Sequence, residues 1–184
     1  TIAEKYLKQA VIDNECKRGG NIIIMDPSTG DILAMASYPD YDLNSPFTPN
    51  STLEKNWDSL SSSAKSTALQ GMWKNPAVSN TYEPGSVFKV LVSAIALEEN
   101  LVETDTPGIF SCTGTQNIYG TEIDCAKKSG HGYQSLREAL EHSCNPAFMQ
   151  LGQKIGKETL YKYFDAFGLF TKSGIATAGE AVGT

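Results

Sequence analysis

At 184 residues the chain can form one domain with a real core, or part of a larger one. A formal net charge of −6 with unclustered basic residues excludes nucleic acid as the main partner, because phosphate binding needs a concentrated cationic face. With 40% hydrophobic and 20% charged residues the composition is that of an ordinary globular protein. No apolar run is long enough to span a bilayer and no signal peptide is visible, so any anchor would lie upstream.

Residues 2–17, "IAEKYLKQAVIDNECK", set Ile2, Tyr6, Leu7, Ala10 and Val11 on one helical face, and "RGG" stops that helix. "NIIIMDPSTGDILAMAS" reads as two strands around a Pro-Ser-Thr-Gly turn, with Met25 and Ala36 near the open end of the hairpin. "YPDYDLNSPFTPN" is a Pro-rich connection without periodicity, and residues 51–72 are weakly helical. Residues 86–99, "SVFKVLVSAIALEE", form the strongest helix, preceded by Pro84-Gly85 and stopped at Asn100. It is apolar nearly all round, the pattern of a buried helix. Residues 101–134 read as irregular. Ser135 and Glu138 make a capping box, Pro146 suits the first turn of a helix running to Ile155 with Gly156 as its stop, and a last helix ends at Gly168. The order, a helix, a hairpin and then mostly helices, is α+β, with a sheet whose remaining strands lie outside this chain. The chain begins with the character of a helix interior and ends in the loop-like "ATAGEAVGT", as a fragment would.

Within the apolar helix Ser86, Lys89 and Ser93 form one narrow polar stripe. A buried unpaired ammonium is costly, so Lys89 must find a partner or give up its proton. A serine one turn before a neutral amine is an activated nucleophile, and Ser86 sits at the helix N-terminus, where backbone N–H groups favour developing negative charge. The plainer reading is a serine N-cap and a lysine that snorkels to solvent. Ser143-Cys144-Asn145, between two helices, offers a hydroxyl to relay a proton and a carboxamide to hold a substrate amide. The plainer reading there is that Asn145 caps the helix beginning at Pro146. S-x-x-K followed by a Ser-x-Asn turn is the motif set of penicillin-recognising serine enzymes.

The chain resembles the transpeptidase domain of class B penicillin-binding proteins through four ordered stretches: "NIIIMDPSTGDILAMASYPDYD", "NPAVSNTYEPGSVFK", "GHGYQSLREALEHSCNPAF" and "FGLFTKSGI". The resemblance implies the penicillin-binding protein/serine β-lactamase-like fold, an antiparallel sheet flanked by helices. Residues 1–184 would be its N-terminal part. By family Ser86 would be the acylated nucleophile, Lys89 its general base, Ser143 the proton relay to the leaving group and Asn145 the holder of the donor peptide. The family's third motif, K-[ST]-G, lies on a strand. Lys172-Ser173-Gly174 matches its letters but follows a helix without β-branched alternation and comes only 29 residues after Ser143, so it reads as a loop. The chain is therefore expected to stop before the true third motif, whose strand would give the second oxyanion donor beside the Ser86 N–H.

The implied activity is crosslinking of peptidoglycan stem peptides, with β-lactams acylating Ser86 and no cofactor needed for the chemistry. The implied setting is the extracytoplasmic face of the cell membrane, beside other cell-wall synthesis proteins. The rival readings are a serine β-lactamase, a β-lactam sensor or silent scaffold, and a zinc-braced structural module. Cys112, Cys125, His131 and Cys144, spaced C-x12-C-x5-H-x12-C, are a Cys3His set suited to structural zinc, and some relatives use equivalent positions for a metal. A Cys112–Cys125 disulfide and a His131 that only bonds backbone are the alternatives. Cys16 reads as an unpaired bystander on the first helix.

Overall fold

The structure is a computed structural model, describing residues 1–183. Two compact units divide the described residues, one of residues 1–81 with 174–181 and one of residues 82–173 with 182–183. Among the described residues no helix is long and apolar enough to cross a membrane.

The first unit opens with α1 (Ile2–Asp13), started by a Thr1/Glu4 capping box. It stops short of the expected residue 17. The Asn14 side chain caps the Ala10 carbonyl at 2.9 Å and Glu15 takes φ 50°, which an α-helix cannot continue. Cys16 therefore lies beyond the helix, exposed. The buried stripe is Ala3, Leu7 and Val11, spaced by four, while Ile2 and Tyr6 face solvent. This stripe packs on Ala36, flanked by Ile22, Ala34 and Tyr38.

Those residues belong to an antiparallel hairpin of β1 (Gly20–Met25) and β2 (Ile32–Tyr38). Its turn is closed by Gly30 N–H to Asp26 O at 2.8 Å. Met25 pairs with Ile32 beside that turn, so only Ala36, opposite Ile22, is near the open end. The other hairpin face leaves Ile23, Met25 and Leu33 exposed. The weakly helical segment expected over 51–72 holds a 3₁₀ turn (Glu54–Ser59) and α2 (Ser62–Met72), and α3 (Pro76–Ser79) follows. Asn75 caps α3 and Ser61 caps α2, each through a side-chain oxygen.

In the second unit a 3₁₀ turn (Gly85–Val87) precedes α4 (Phe88–Glu98), so Ser86 lies before the α-helix rather than at its first position. Asn100, at φ 53°, follows the C-cap as expected. The helix is not buried all round: Lys89, Ser93, Ile95 and Ala96 are buried, while Val90 and Leu97 are exposed. Residues 101–134 are not irregular. They hold β3 (Phe110–Cys112), β4 (Thr115–Ile118), β5 (Thr121–Asp124) and β6 (Gly132–Gln134), pairing β3 with β6 and β4 with β5, both antiparallel. Strands of three or four residues are too short for a hydrophobic alternation to stand out, which hid them from pattern reading.

α5 (Leu136–Glu141) carries the expected capping box. α6 (Asn145–Ile155) ends at Gly156, φ 82°, and α7 (Lys157–Ala166) follows. The core joins Ile95 and Ala96 of α4, Leu136 and Ala139 of α5, and Ala147, Phe148, Leu151 and Ile155 of α6, with Cys112, Cys125 and Cys144 inside it. Lys172-Ser173-Gly174 is in no strand, as expected of a loop.

Candidate active site and adjoining thiol cluster

Ser86 is exposed on its 3₁₀ turn, and Lys89 begins the next turn with 9% of its surface accessible. Lys89 Nζ donates to Ser143 O at 2.6 Å, Ser143 Oγ at 3.0 Å and Asn145 Oδ1 at 2.7 Å. Ser143 Oγ in turn lies 2.8 Å from Ser86 Oγ. The amine thus reaches the first serine through the second, where the sequence suggested direct contact one helical turn back. The Lys89 ammonium also lies 5.4 Å from the centre of the Phe148 ring. Burial pushes its pKa below the ordinary lysine value of 10.5, and negative charge on Cys144 and Cys125 pulls the other way. Ser93, the third member of the stripe, turns its hydroxyl onto the Lys89 carbonyl at 2.8 Å and takes no part.

Ser143 is held at φ 49°, the left-handed region that non-glycine residues seldom enter. Its N–H bonds Leu140 O at 3.0 Å and the Cys144 N–H bonds Ala139 O at 2.9 Å, so the end of α5 imposes the conformation. The effect is to turn both the hydroxyl and the carbonyl of Ser143 to one ammonium. Asn145 is not a cap: the N-cap of α6 is Cys144, and Asn145 stands inside the helix. Its Oδ1 faces Lys89 and its Nδ2 donates to Asp124 O at 3.4 Å. All four candidates, Ser86, Lys89, Ser143 and Asn145, meet in one cluster.

Beside them the ligand atoms of Cys112, Cys125, His131 and Cys144 all lie within 4.8 Å of one another. Three short connections assemble them: the end of β3, the loop from β5 to β6, and the N-cap of α6. Gly114 and Gly130 permit the close chain approach. Both have positive φ, and a Cβ would stand 2.0 Å from Lys128 O at the first and 2.2 Å from Cys112 O at the second.

All four cysteines are free thiols, so Cys112 and Cys125 are not paired. Sulfurs bound to zinc at about 2.3 Å stand roughly 3.8 Å apart in a tetrahedron, and three thiols with one imidazole are a regular donor set. The residues fit such an ion. Burial raises the Cys112 thiol pKa, but N–H donors of Gly114 and His131 and the neighbouring thiols outweigh it and bring the value below that of free cysteine. Burial dominates at Cys144 and pushes its thiol up. His131, its Nδ1 3.4 Å from Cys125 Sγ, has its pKa lowered by burial and then by His142 and Lys127.

Four contributors escaped the sequence: the Asp124 carbonyl, Gln134, His142 and Phe148. Phe148 follows Asn145 by one helical turn on α6, a spacing that could have pointed to it, whereas Asp124, Gln134 and His142 reach the site from β5, β6 and the end of α5.

Residues 20–184 match the family described as penicillin binding protein transpeptidase domain. The fold is that of solved penicillin-binding proteins. Penicillin-binding protein A from M. tuberculosis, as an imipenem acyl-enzyme complex, is similar with a TM-score of 0.69 and 32% identity over 89% of this chain and 37% of that one. The D,D-transpeptidase domain of a peptidoglycan glycosyltransferase from Eggerthella lenta gives a TM-score of 0.67 and 31% identity, covering 90% and 37% of the two chains. By sequence, stage V sporulation protein D of Bacillus subtilis is 36% identical over 161 residues, which are 88% of this chain and 22% of that protein. Peptidoglycan D,D-transpeptidase PbpA of Mycobacterium tuberculosis is 36% identical over 160 residues, 84% of this chain and 30% of that one. The chain belongs to the penicillin-binding protein transpeptidase domain family and spans less than a third of the length of these two relatives.

Proposed function

We propose that the protein containing this chain is a serine D,D-transpeptidase that crosslinks peptidoglycan stem peptides and is acylated by β-lactams at Ser86. The observation that carries the proposal is the unbroken series Ser86 Oγ, Ser143 Oγ and Lys89 Nζ, with steps of 2.8 and 3.0 Å. With Lys89 neutral, Ser143 gives its proton to the amine as it takes one from Ser86. The freed Ser86 oxygen attacks the carbonyl of the penultimate D-Ala. Collapse of the tetrahedral intermediate breaks the peptide C–N bond, and the terminal D-Ala leaves with the proton returned through Ser143. An amine of a second stem then attacks the ester, loses its proton to the same relay and restores the Ser86 hydroxyl. The Ser86 N–H supplies one oxyanion donor. Asn145, its Oδ1 on Lys89, aligns the relay and holds the donor peptide.

Lys172-Ser173-Gly174, in a loop, is not the third motif in this proposal. Residues 1–184 form a partial transpeptidase domain, and the strand with the second oxyanion donor belongs to sequence beyond them. The proposed setting is the extracytoplasmic membrane face, held by an upstream anchor among other cell-wall synthesis proteins.

Cys112, Cys125, His131 and Cys144 would hold zinc as a structural ion. With four protein ligands it would leave no open position, so it would brace the Ser143–Asn145 turn.

The test is intact mass of the full-length protein after exposure to a penicillin, with Ser86→Ala as control. One stable drug-sized adduct, absent in the control, is expected; consumed drug without adduct would instead indicate a β-lactamase. Chelation is expected to release zinc and slow acylation, and unchanged acylation after demonstrated metal loss would remove the bracing role.

A further inference from the structure

Gln134 ends β6 with only 1% of its surface accessible, an unusual place for a carboxamide. A buried amide is tolerated when its hydrogen-bonding groups find partners. Gln134 Nε2 donates to Cys144 Sγ at 3.4 Å, and Oε1 lies 2.9 Å from His142 Nδ1. An amide oxygen only accepts, so in this arrangement His142 carries its hydrogen on Nδ1. The His142 ring lies flat on that of His131, with centroids 4.6 Å apart and planes 3° apart. One buried side chain therefore links the Cys144 sulfur to a ring resting on another member of the cluster.

Cys144 is also the middle of the Ser143-Cys144-Asn145 turn. The turn is gripped at two points, Asn145 Nδ2 on Asp124 O and Cys144 Sγ on Gln134 Nε2. We infer that Gln134 is a positioning residue for both centres: its N–H···S bond aims the Cys144 sulfur at the other three ligands and thereby sets the turn that presents Ser143 and Asn145. A metal-bound thiolate has no S–H, so only the NH2 end of the amide can face it. His142 holds that orientation by occupying the oxygen end. The inference rests on the proposed readings of the two centres, and it differs from a packing role in requiring the amide's polarity.

Four forms of the full-length protein test this: wild type, Gln134→Leu, Gln134→Glu and His142→Phe. Each is titrated with cobalt(II), whose thiolate charge-transfer absorption reports the ligand set, and each is assayed for its rate of acylation by penicillin. Loss of an outer hydrogen bond to a metal ligand weakens metal binding by about 10–100-fold. Gln134→Leu is expected to fall in that range for cobalt and to slow acylation by about 10-fold. Gln134→Glu keeps the shape but sets an acceptor against the sulfur, so it should be worse than Gln134→Leu in both assays. His142→Phe preserves the ring stack at an exposed position and should fall between wild type and Gln134→Leu.

Cobalt affinity and acylation at wild-type levels in Gln134→Leu and His142→Phe would overturn the inference, even if Gln134→Leu melted earlier. Equal losses in the Leu and Glu variants would also overturn it, since packing would then suffice. If neither Gln134 variant folds, His142→Phe decides alone. A wild type that takes up no cobalt defeats the metal reading, and Gln134 is then judged on acylation. A wild type that is never acylated defeats the acylation reading, and Gln134 is then judged on cobalt.

Discussion

The two units bury their residues differently. In the first, the buried apolar cluster is Ala3, Leu7, Val11 and Ala36, one helix face against one hairpin face, and Ile23, Met25 and Leu33 stay exposed. In the second, α4, α5, α6 and β3 close on Leu151, Ile95 and Ala139, and three thiols lie inside that core. Every candidate catalytic and metal-binding residue belongs to the second unit. Chemistry that depends on a desolvated lysine and on sulfurs held together needs walls on several sides, which one helix on one hairpin does not supply.

The largest effect should come from the amine that this core desolvates. Lys89→Met removes the proton acceptor while keeping the apolar stem, and should cut the acylation rate by about 10²–10⁴-fold, read as penicillin adduct formation against time. In the wild type that rate should rise with pH as Lys89 loses its proton, with a midpoint below 10.5 because burial lowers its pKa. The stability sign is the same. Between the folded midpoint and 10.5 the unfolded chain binds more protons than the native one, so Lys89 makes folding more favourable as pH rises through that window. A rate that falls with rising pH below 10.5 would contradict the role of Lys89 as base.

Next in size is the contrast between the cores. Leu151, fully buried, should cost about 2–5 kcal/mol when replaced by Ala, and Leu7, whose cluster holds two alanines, should cost near the lower limit of that range. Urea unfolding of the two variants measures the difference, and a larger loss at Leu7 would refute the contrast. Smallest is Ser135→Ala, which removes the cap of α5 and should cost about 1 kcal/mol by the same measurement. Because α5 imposes the Ser143 backbone, that variant should also slow acylation slightly.

What could be read in advance was local. The hairpin around the Pro-Ser-Thr-Gly turn, the Ser135/Glu138 box and the Gly156 stop are governed by residues a few positions apart, and the structure has all of them. Long-range partners were not legible from sequence neighbours. The plainer reading of Asn145 as a cap gives way because its carboxamide reaches Lys89, 56 residues away. Ser86 looked like the partner of Lys89 because it is one turn back, yet Ser143, 57 residues on from Ser86, stands between them. The strands of residues 101–134 are too short and polar for periodicity to register.

The sequence by itself determined the family of the chain, a set of candidate residues, and the caps and stops that delimit most of the helices, since these depend on residue type and on short spacings. The tertiary structure alone decided that Ser143 Oγ lies within hydrogen-bond reach of both Ser86 Oγ and Lys89 Nζ, that three thiols and an imidazole converge, and that Gln134 touches both Cys144 and His142. Those arrangements depend on side chains brought together from elements far apart in the chain, and on how deeply the fold removes them from water.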